Sequence, residues 1–244
     1  MKEYRVLSLA EPVGNLWKEL QGKNTKGDFL VAAPLSSTPI PICEWIIDHA
    51  DEFEGWNKMR FVLMDEQVEQ VGNEFEYVSI DDPASYEKFA QEKFLRPLST
   101  KIALVNDVVL KPDLKKFDEF NKRIDLLILA LGVQGNYANV MPGTSEETGW
   151  HIAKLLDEFK QAHTQKGSQS YEGAKFRNYG MSLGPQQVLE AENVVVIISG
   201  EKKRELAKQL LSYKSFDSEF PLSVIYHPQV RDRVSIYMTE DVLG

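Results

Sequence analysis

Four segments of the 244-residue sequence carry side chains whose type and order could do chemistry on an anionic molecule. Ser36, Ser37 and Thr38 precede Pro39, a residue suited to the first position of a helix. Hydroxyls and free backbone N–H groups at a helix N-terminus form a ready anion site, and the same residues also serve as ordinary N-caps. Asp65 and Glu66 follow the apolar run RFVLM at 60–64. A carboxylate in that place is either a base whose pKa is tuned by burial, or one of two solvated acids in a turn. Between 129 and 144 lie Gly132, Gly135, Pro142 and Gly143, a spacing that lets backbone pass close to a ligand or adopt positive φ. It is not a dinucleotide fingerprint, because the third glycine of G-x-G-x-x-G is missing. Lys202, Lys203 and Arg204 follow Gly200 and fall in a first helical turn, where the helix dipole disfavours cations. Either an anion sits nearby or Glu201 and Glu205 offset the charge. The four histidines, His49, His151, His163 and His227, lack metal-ligand spacing, and no G-x-S-x-G elbow is present. No metal and no cofactor are expected.

These segments need elements to position them. Apolar, β-branched runs at 29–33, 60–64, 101–105, 125–131, 193–198 and 233–238 read as strands, and runs as continuous as LLILAL suit strands covered on both faces. Between them, 10–22, 39–54, 83–97, 112–121 and 201–212 show helical spacing. The polar stretch Gln161 to Gly173 reads as a surface loop. Alternating βα units give an α/β fold, three-layer and doubly wound, with a mostly parallel sheet and helices on both faces. In such sheets ligands bind beyond the carboxyl ends of the strands, which is where the four segments fall.

With 43% hydrophobic residues the chain can bury a substantial core, and residues 1–244 are read as a single domain. A net charge of −9 speaks against partnership with nucleic acid or an anionic membrane, so any phosphate bound is a local affair. The lone Cys43 excludes an internal disulfide framework, and no apolar segment is long enough to span a bilayer. A cytoplasmic location is the expectation.

Taken in order, the segments resemble the glucosamine-6-phosphate deaminase (isomerase) family and its 6-phosphogluconolactonase relatives. A-P-L-S-S-T-P at 33–39 is similar to the phosphate loop L-P-T-G-S-T-P, M-D-E at 64–66 to the same triplet after the next strand, and D-P-A-S-Y at 82–86 to H-P-x-S-Y. The stretch 125–143 aligns without gaps on D-L-x-L-L-G-I-G-x-D-G-H-I-A-F-N-E-P-G, and Tyr179 to Ala191 with Gly200 and Lys203 resembles the segment that follows. The resemblance implies that Asp65 moves a proton between C2 and C1 of an open-chain sugar. It implies too that Leu35, Ser36, Ser37, Thr38, Gly135 and Lys203 bind the substrate and its phosphate. The implied partner is a small-molecule sugar phosphate, glucosamine or galactosamine 6-phosphate, and the family is compatible with a homo-oligomer.

Departures accompany the likeness. Where the deaminases carry Asp-Gly-His and then Glu, this chain has Gln134, Gly135, Asn136 and Met141. Gln134 and Asn136 thus occupy catalytic positions, yet neither they nor Met141 can exchange a proton near neutral pH. Turnover of a cyclic substrate is therefore expected to fall unless His151, His163 or His227 reaches the pocket. Two alternatives follow: a catalytically degenerate sugar-phosphate binding protein or sensor, and a 6-phosphogluconolactonase-like hydrolase. The lactonases need the same His and carry Arg where Gln67 stands, although V-M-P-G-T at 140–144 is closer to their L-F-P-G-T. W-H-I-A-K-L at 150–155, His163, and Ser223 with His227 resemble the galactosamine-6-phosphate isomerase branch.

Overall fold

The computed structural model describes residues 1–25, 27–166 and 170–243. Seven strands form a wholly parallel sheet: β1 (Lys2–Val6), β2 (Phe29–Ala32), β3 (Met59–Val62), β6 (Val109–Leu110), β7 (Leu126–Ala130), β10 (Asn193–Ile198) and β11 (Val234–Thr239). Four more, β4 (Asp65–Val71), β5 (Glu74–Tyr77), β8 (His151–Lys154) and β9 (Tyr179–Ser182), build a separate antiparallel sheet in the order β5-β4-β9-β8. The helices are α1 (Ala10–Lys23), α2 (Ile40–Asp48), α3 (Tyr86–Ala90), α4 (Arg96–Ser99), α5 (Asp157–Thr164), α6 (Pro185–Glu190), α7 (Arg204–Ser212) and α8 (Glu240–Leu243). A π-helical turn, Gln91–Leu95, joins α3 to α4, and a 3₁₀ turn, Glu201–Lys203, leads into α7.

The period of two along each buried strand divides the interior into two cores. Leu126 and Ile128 of β7, with Val195 and Ile197 of β10, pack with Trp17 of α1, Ile42 and Ile46 of α2 and Leu98 of α4. The residues between them, Leu127, Leu129, Val194, Val196 and Ile198, pack with Leu210 of α7, Val188 of α6 and Val242 of α8. That second core includes Val68 and Met181 of the antiparallel sheet. A smaller cluster of Tyr86, Phe89, Met141, Phe159, Tyr171 and Phe176 fills the space between α3 and α5.

Along the large sheet the order is β1-β11-β10-β7-β2-β3-β6. From β2 the chain proceeds outward to β3 and β6, then returns to β7 on the other side of β2 and runs outward through β10 and β11. The switch point, and with it the expected crevice, lies at the carboxyl ends of β2 and β7.

Three expectations are corrected. Residues 101–105 form no strand: Ile102 and Leu104 are apolar because they pack on the first core from an irregular segment, and the sheet's edge is the two-residue β6. Residues 112–121 contain only a 3₁₀ turn at Phe117–Glu119; Phe117 and Phe120 pack on the second core, Phe120 edge-on to Trp150. The polar stretch from Gln161 is no free loop at its start, since Gln161 to Thr164 complete α5, while 167–169 lie outside the described residues. Among the described residues no helix is long and apolar enough to cross a membrane.

Candidate functional site

A cavity of about 220 Å³ opens where β2, β3, β7 and β10 end. It is smaller than the ~300–1,000 Å³ of drug-sized pockets and suits a compact polar molecule. Its wall brings together Leu35, Ser36, Ser37, Thr38, Asp65, Asn136 and Lys203, residues spread over much of the sequence. Gln134 and Gly135 are not on it. Gly135 instead shapes the loop: its φ is +71°, a Cβ there would lie 2.4 Å from the Phe220 ring, and its carbonyl accepts from Leu222 N at 2.8 Å.

The hydroxyl-rich loop after β2 is not spent on capping. The N-cap of α2 is Pro39, with no side-chain cap, and among the described residues no hydrogen bond uses the Ser36, Ser37 or Thr38 hydroxyl. Tyr171 donates to Leu35 O at 2.7 Å and fastens the loop to the aromatic cluster. Opposite, Lys203 approaches from the 3₁₀ turn and donates to Leu131 O at 2.7 Å. Burial pulls its ammonium down to about 8 from an ordinary 10.5, and no carboxylate lies within ion-pair distance of it among the described residues. An ammonium held by one carbonyl, in one cavity with three free hydroxyls, offers donors suited to a small anion.

Asp65 opens β4 rather than sitting in a turn. Only 7% of it is exposed, and its Oδ1 has no hydrogen-bond partner. Burial first, and the neighbouring Glu66 charge second, raise its carboxyl well above the usual range. A buried carboxyl with a free oxygen and a raised pKa has the chemistry to take a proton from carbon and to return it.

Glu66, 1% exposed, does something else. Its Oε1 accepts from Gln67 N at 2.7 Å and Tyr86 N at 2.8 Å, and its Oε2 from Ser85 Oγ at 2.9 Å and Glu87 N at 2.8 Å. Burial raises its pKa and these four bonds oppose the shift. The carboxylate fixes the start of α3 and, with it, the Tyr86 ring on the cavity wall. Gln67 donates to Tyr86 Oη at 3.0 Å and accepts from Arg177 N at 2.8 Å, so it too is structural.

Asn136 lines the cavity with its amide turned inward on its own loop. Oδ1 accepts from Gln134 N and Nδ2 donates to Ala138 O, each at 3.3 Å. The approach is close enough that a Cβ on Gly132 would lie 2.1 Å from Asn136 Oδ1. Met141 packs in the aromatic cluster between α3 and α5 and presents no carboxylate.

The strand ends do not account for the far wall, made by Phe159, Ala162, His163 and Tyr171, together with Tyr86 and Tyr137; of the three histidines that the sequence offered to the pocket, His163 lines it and His151 and His227 do not. Tyr137 is buried and its hydroxyl has no partner. The signal that could have marked α5 is the four-residue spacing of Phe159 and His163, which places both on one helical face.

The fold and the site define a class: a parallel α/β sheet with a polar cavity at its switch point, lined by a buried carboxyl, a lysine and a hydroxyl-rich loop. The model of the family described as glucosamine-6-phosphate isomerases/6-phosphogluconolactonase matches residues 7–235, and the chain belongs to that family. A glucosamine-6-phosphate deaminase of Halalkalibacterium halodurans is 33% identical over 108 residues, 44% of this chain and 42% of that protein. The chain thus spans less than half the length of that relative. A glucosamine-6-phosphate deaminase of Lactobacillus acidophilus is 26% identical over 175 residues, covering 68% of this chain and 72% of the relative. Among solved structures, a monomeric glucosamine-6-phosphate deaminase superposes with a TM-score of 0.80 at 20% identity, covering 99% of this chain and 98% of the other. The 6-phosphogluconolactonase from Trypanosoma cruzi gives 0.68 at 13% identity, covering 99% and 95%. At such identities the structural likeness speaks for the fold.

Proposed function

We propose that the chain acts on an amino-sugar 6-phosphate, glucosamine or galactosamine 6-phosphate, as an isomerase/deaminase. The observation that carries this reading is the unpartnered, buried Asp65 carboxyl in one cavity with Lys203 and the free hydroxyls of Ser36, Ser37 and Thr38. Lys203 and the hydroxyls hold the phosphate. That remote contact orients C1 and C2 of the open-chain sugar against Asp65.

On the open-chain sugar, the transfer from C2 to C1 needs one protein group to carry one proton. Ionised Asp65 takes the C2 proton of the 2-ammonio aldehyde while the ammonium group gives a proton to O1, which makes the neutral enaminol across C1 and C2. The protonated carboxyl then returns its proton to C1, which leaves an iminium at C2. Water adds to that iminium and ammonia departs, leaving a ketose 6-phosphate.

The rival reading is a catalytically degenerate sensor. It is favoured by Asn136 and Gln134, whose amides cannot exchange protons, and by the absence of any carboxylate at Met141. A lactonase-like hydrolase is less favoured, because Gln67 is committed to Tyr86 and Arg177. A thermal-shift panel of glucosamine, galactosamine, glucose and gluconate 6-phosphates, followed by assay of ammonia release, separates the three. Stabilisation by the amino sugars with release of ammonia supports the proposal; stabilisation without turnover supports the sensor; selective response to the gluconate compound and its lactone supports the hydrolase.

A further inference from the structure

Before Asp65 can act, the sugar must be open. An amino-sugar 6-phosphate in water is a cyclic hemiacetal, and its C2 proton becomes acidic only when C1 is a free carbonyl. Opening moves one proton from the anomeric O1 to the ring oxygen O5 while the C1–O5 bond breaks. Among the described residues, five titratable groups besides Asp65 line the cavity. Tyr86, Tyr137 and Tyr171 are held protonated, their phenols pushed up by burial. Lys203 is bonded to Leu131 O and is assigned above to the phosphate. The remaining group is His163.

His163 is the histidine of the four that lines the cavity. Its Nδ1 lies 2.8 Å from Phe159 O one helical turn earlier. A carbonyl only accepts, so Nδ1 carries the hydrogen and the Nε2 lone pair is left available. Among the described residues nothing bonds to Nε2. The ring packs against both Phe159 and Phe176, at centroid distances of 4.3 and 5.7 Å. The other three lie off the cavity wall. His49 stacks on Trp45, His151 turns Nε2 into a buried spot off the cavity wall, and His227 accepts from Gln229 N and faces Glu146.

We propose that His163, on α5, is the acid/base that opens the sugar ring in this chain, a task the loop after β7 cannot perform with Asn136. The inference rests on the functional reading above. Neutral Nε2 takes the proton from O1–H. The electron pair left on O1 forms the C1=O1 double bond, the C1–O5 pair moves onto O5, and the imidazolium Nε2–H gives its proton to O5. Histidine is regenerated and no co-reactant is consumed. Burial, with the Lys203 charge acting in the same direction, lowers the His163 pKa, so that the neutral base is the form present at pH 7.

The test compares wild type with His163→Gln, and with His163→Asn in parallel in case one substitution prevents folding. Two readouts are taken: turnover of glucosamine 6-phosphate from acid to neutral pH, and binding of 2-amino-2-deoxyglucitol 6-phosphate, which has no ring to open. Loss of general acid/base assistance should lower kcat by ~10²–10⁴, leaving affinity for the alditol within about twofold. The acid limb of the wild-type profile should change shape as the His163 titration drops out of it, the limbs that remain being set by Asp65, Lys203 and the substrate phosphate. A variant with wild-type kcat and an unchanged acid limb overturns the inference and leaves the functional reading standing. Equal loss of turnover and of alditol binding assigns His163 a structural role and also overturns it. No wild-type turnover overturns both.

Discussion

Replacing Lys203 with methionine keeps most of the side chain's volume and removes its charge, so it separates what the ammonium does for the ligand from what it costs the fold. Burial lowers that pKa from 10.5 to about 8. At 1.36 kcal/mol per pKa unit the difference is about 3 kcal/mol against the folded state when the group is protonated. The bond to Leu131 O, charge-assisted and worth about 1.5 kcal/mol or somewhat more, returns part of this. Lys203→Met without ligand should therefore be more stable than wild type by about 1–2 kcal/mol at pH 6–7, a rise of several degrees in Tm. The sign with pH follows from a folded pKa depressed below the unfolded value. The penalty is complete below about 8 and fades as pH rises from about 8 towards 10.5, so the variant's advantage should vanish across that window. Binding should move the other way. Loss of a charge-assisted bond to phosphate costs about 1.5–3 kcal/mol, or roughly 10- to 150-fold in affinity. Wild-type affinity should be greatest between the second phosphate pKa, about 6, and the Lys203 value, and decline in more alkaline solution; the variant should lack that decline. Calorimetric titration with glucosamine 6-phosphate and thermal unfolding at pH 6, 7, 8 and 10 measure both. A variant that loses stability yet binds with undiminished affinity would refute the placement of the phosphate at Lys203.

Asp65→Asn mimics the protonated carboxyl. The folded-state pKa is raised, so wild-type stability is complete in acid and falls as pH rises through that pKa. The variant should match wild type at pH 4 and exceed it at pH 8 by thermal unfolding, while ammonia release disappears. Glu66→Gln turns one accepting oxygen of a four-donor cap into an amide NH₂. It should cost about 1–3 kcal/mol for each donor left without an acceptor, read by urea denaturation. Gly135→Ala places a Cβ against Phe220 at φ +71° and should destabilise by about 1–3 kcal/mol or more in the same assay.

The elements that were legible in the sequence are those whose burial is uniform. FLVA, LLILA and NVVVII are covered on both faces, and their continuous apolar runs show it. By contrast β1, KEYRV, is mostly exposed at the sheet edge, and β4, DEQVEQV, reads as polar because its buried start consists of Asp65, Glu66 and Gln67. The polar atoms of Glu66 and Gln67 are satisfied by Ser85, Tyr86 and Arg177, contacts that no local pattern announces, while Asp65 Oδ1 is left without a partner. The run KIALV at 101–105 has the composition of a strand because it must cover the first core; composition reports burial, and hydrogen-bonding partners decide the rest. The same division applies to the cavity. Ser36 to Thr38, Asp65, Asn136 and Lys203 were legible because each closely follows a strand of one parallel sheet. His163 and Tyr171 lie on and after α5, beyond the short sheet, and reach the cavity through aromatic packing among Phe159, Tyr171 and Phe176.

The central claim is that Asp65 carries a proton between C2 and C1 of a phosphorylated amino sugar seated on Lys203 and the hydroxyl loop. A carboxyl that holds that proton during the transfer can exchange it with solvent, so the direct measurement is NMR of the ketose 6-phosphate formed from glucosamine 6-phosphate in ²H₂O. Deuterium at C1 in the wild-type product, with neither product nor label from Asp65→Asn, is the predicted result; a wild-type protein that binds the sugar phosphate and forms no labelled product would contradict it.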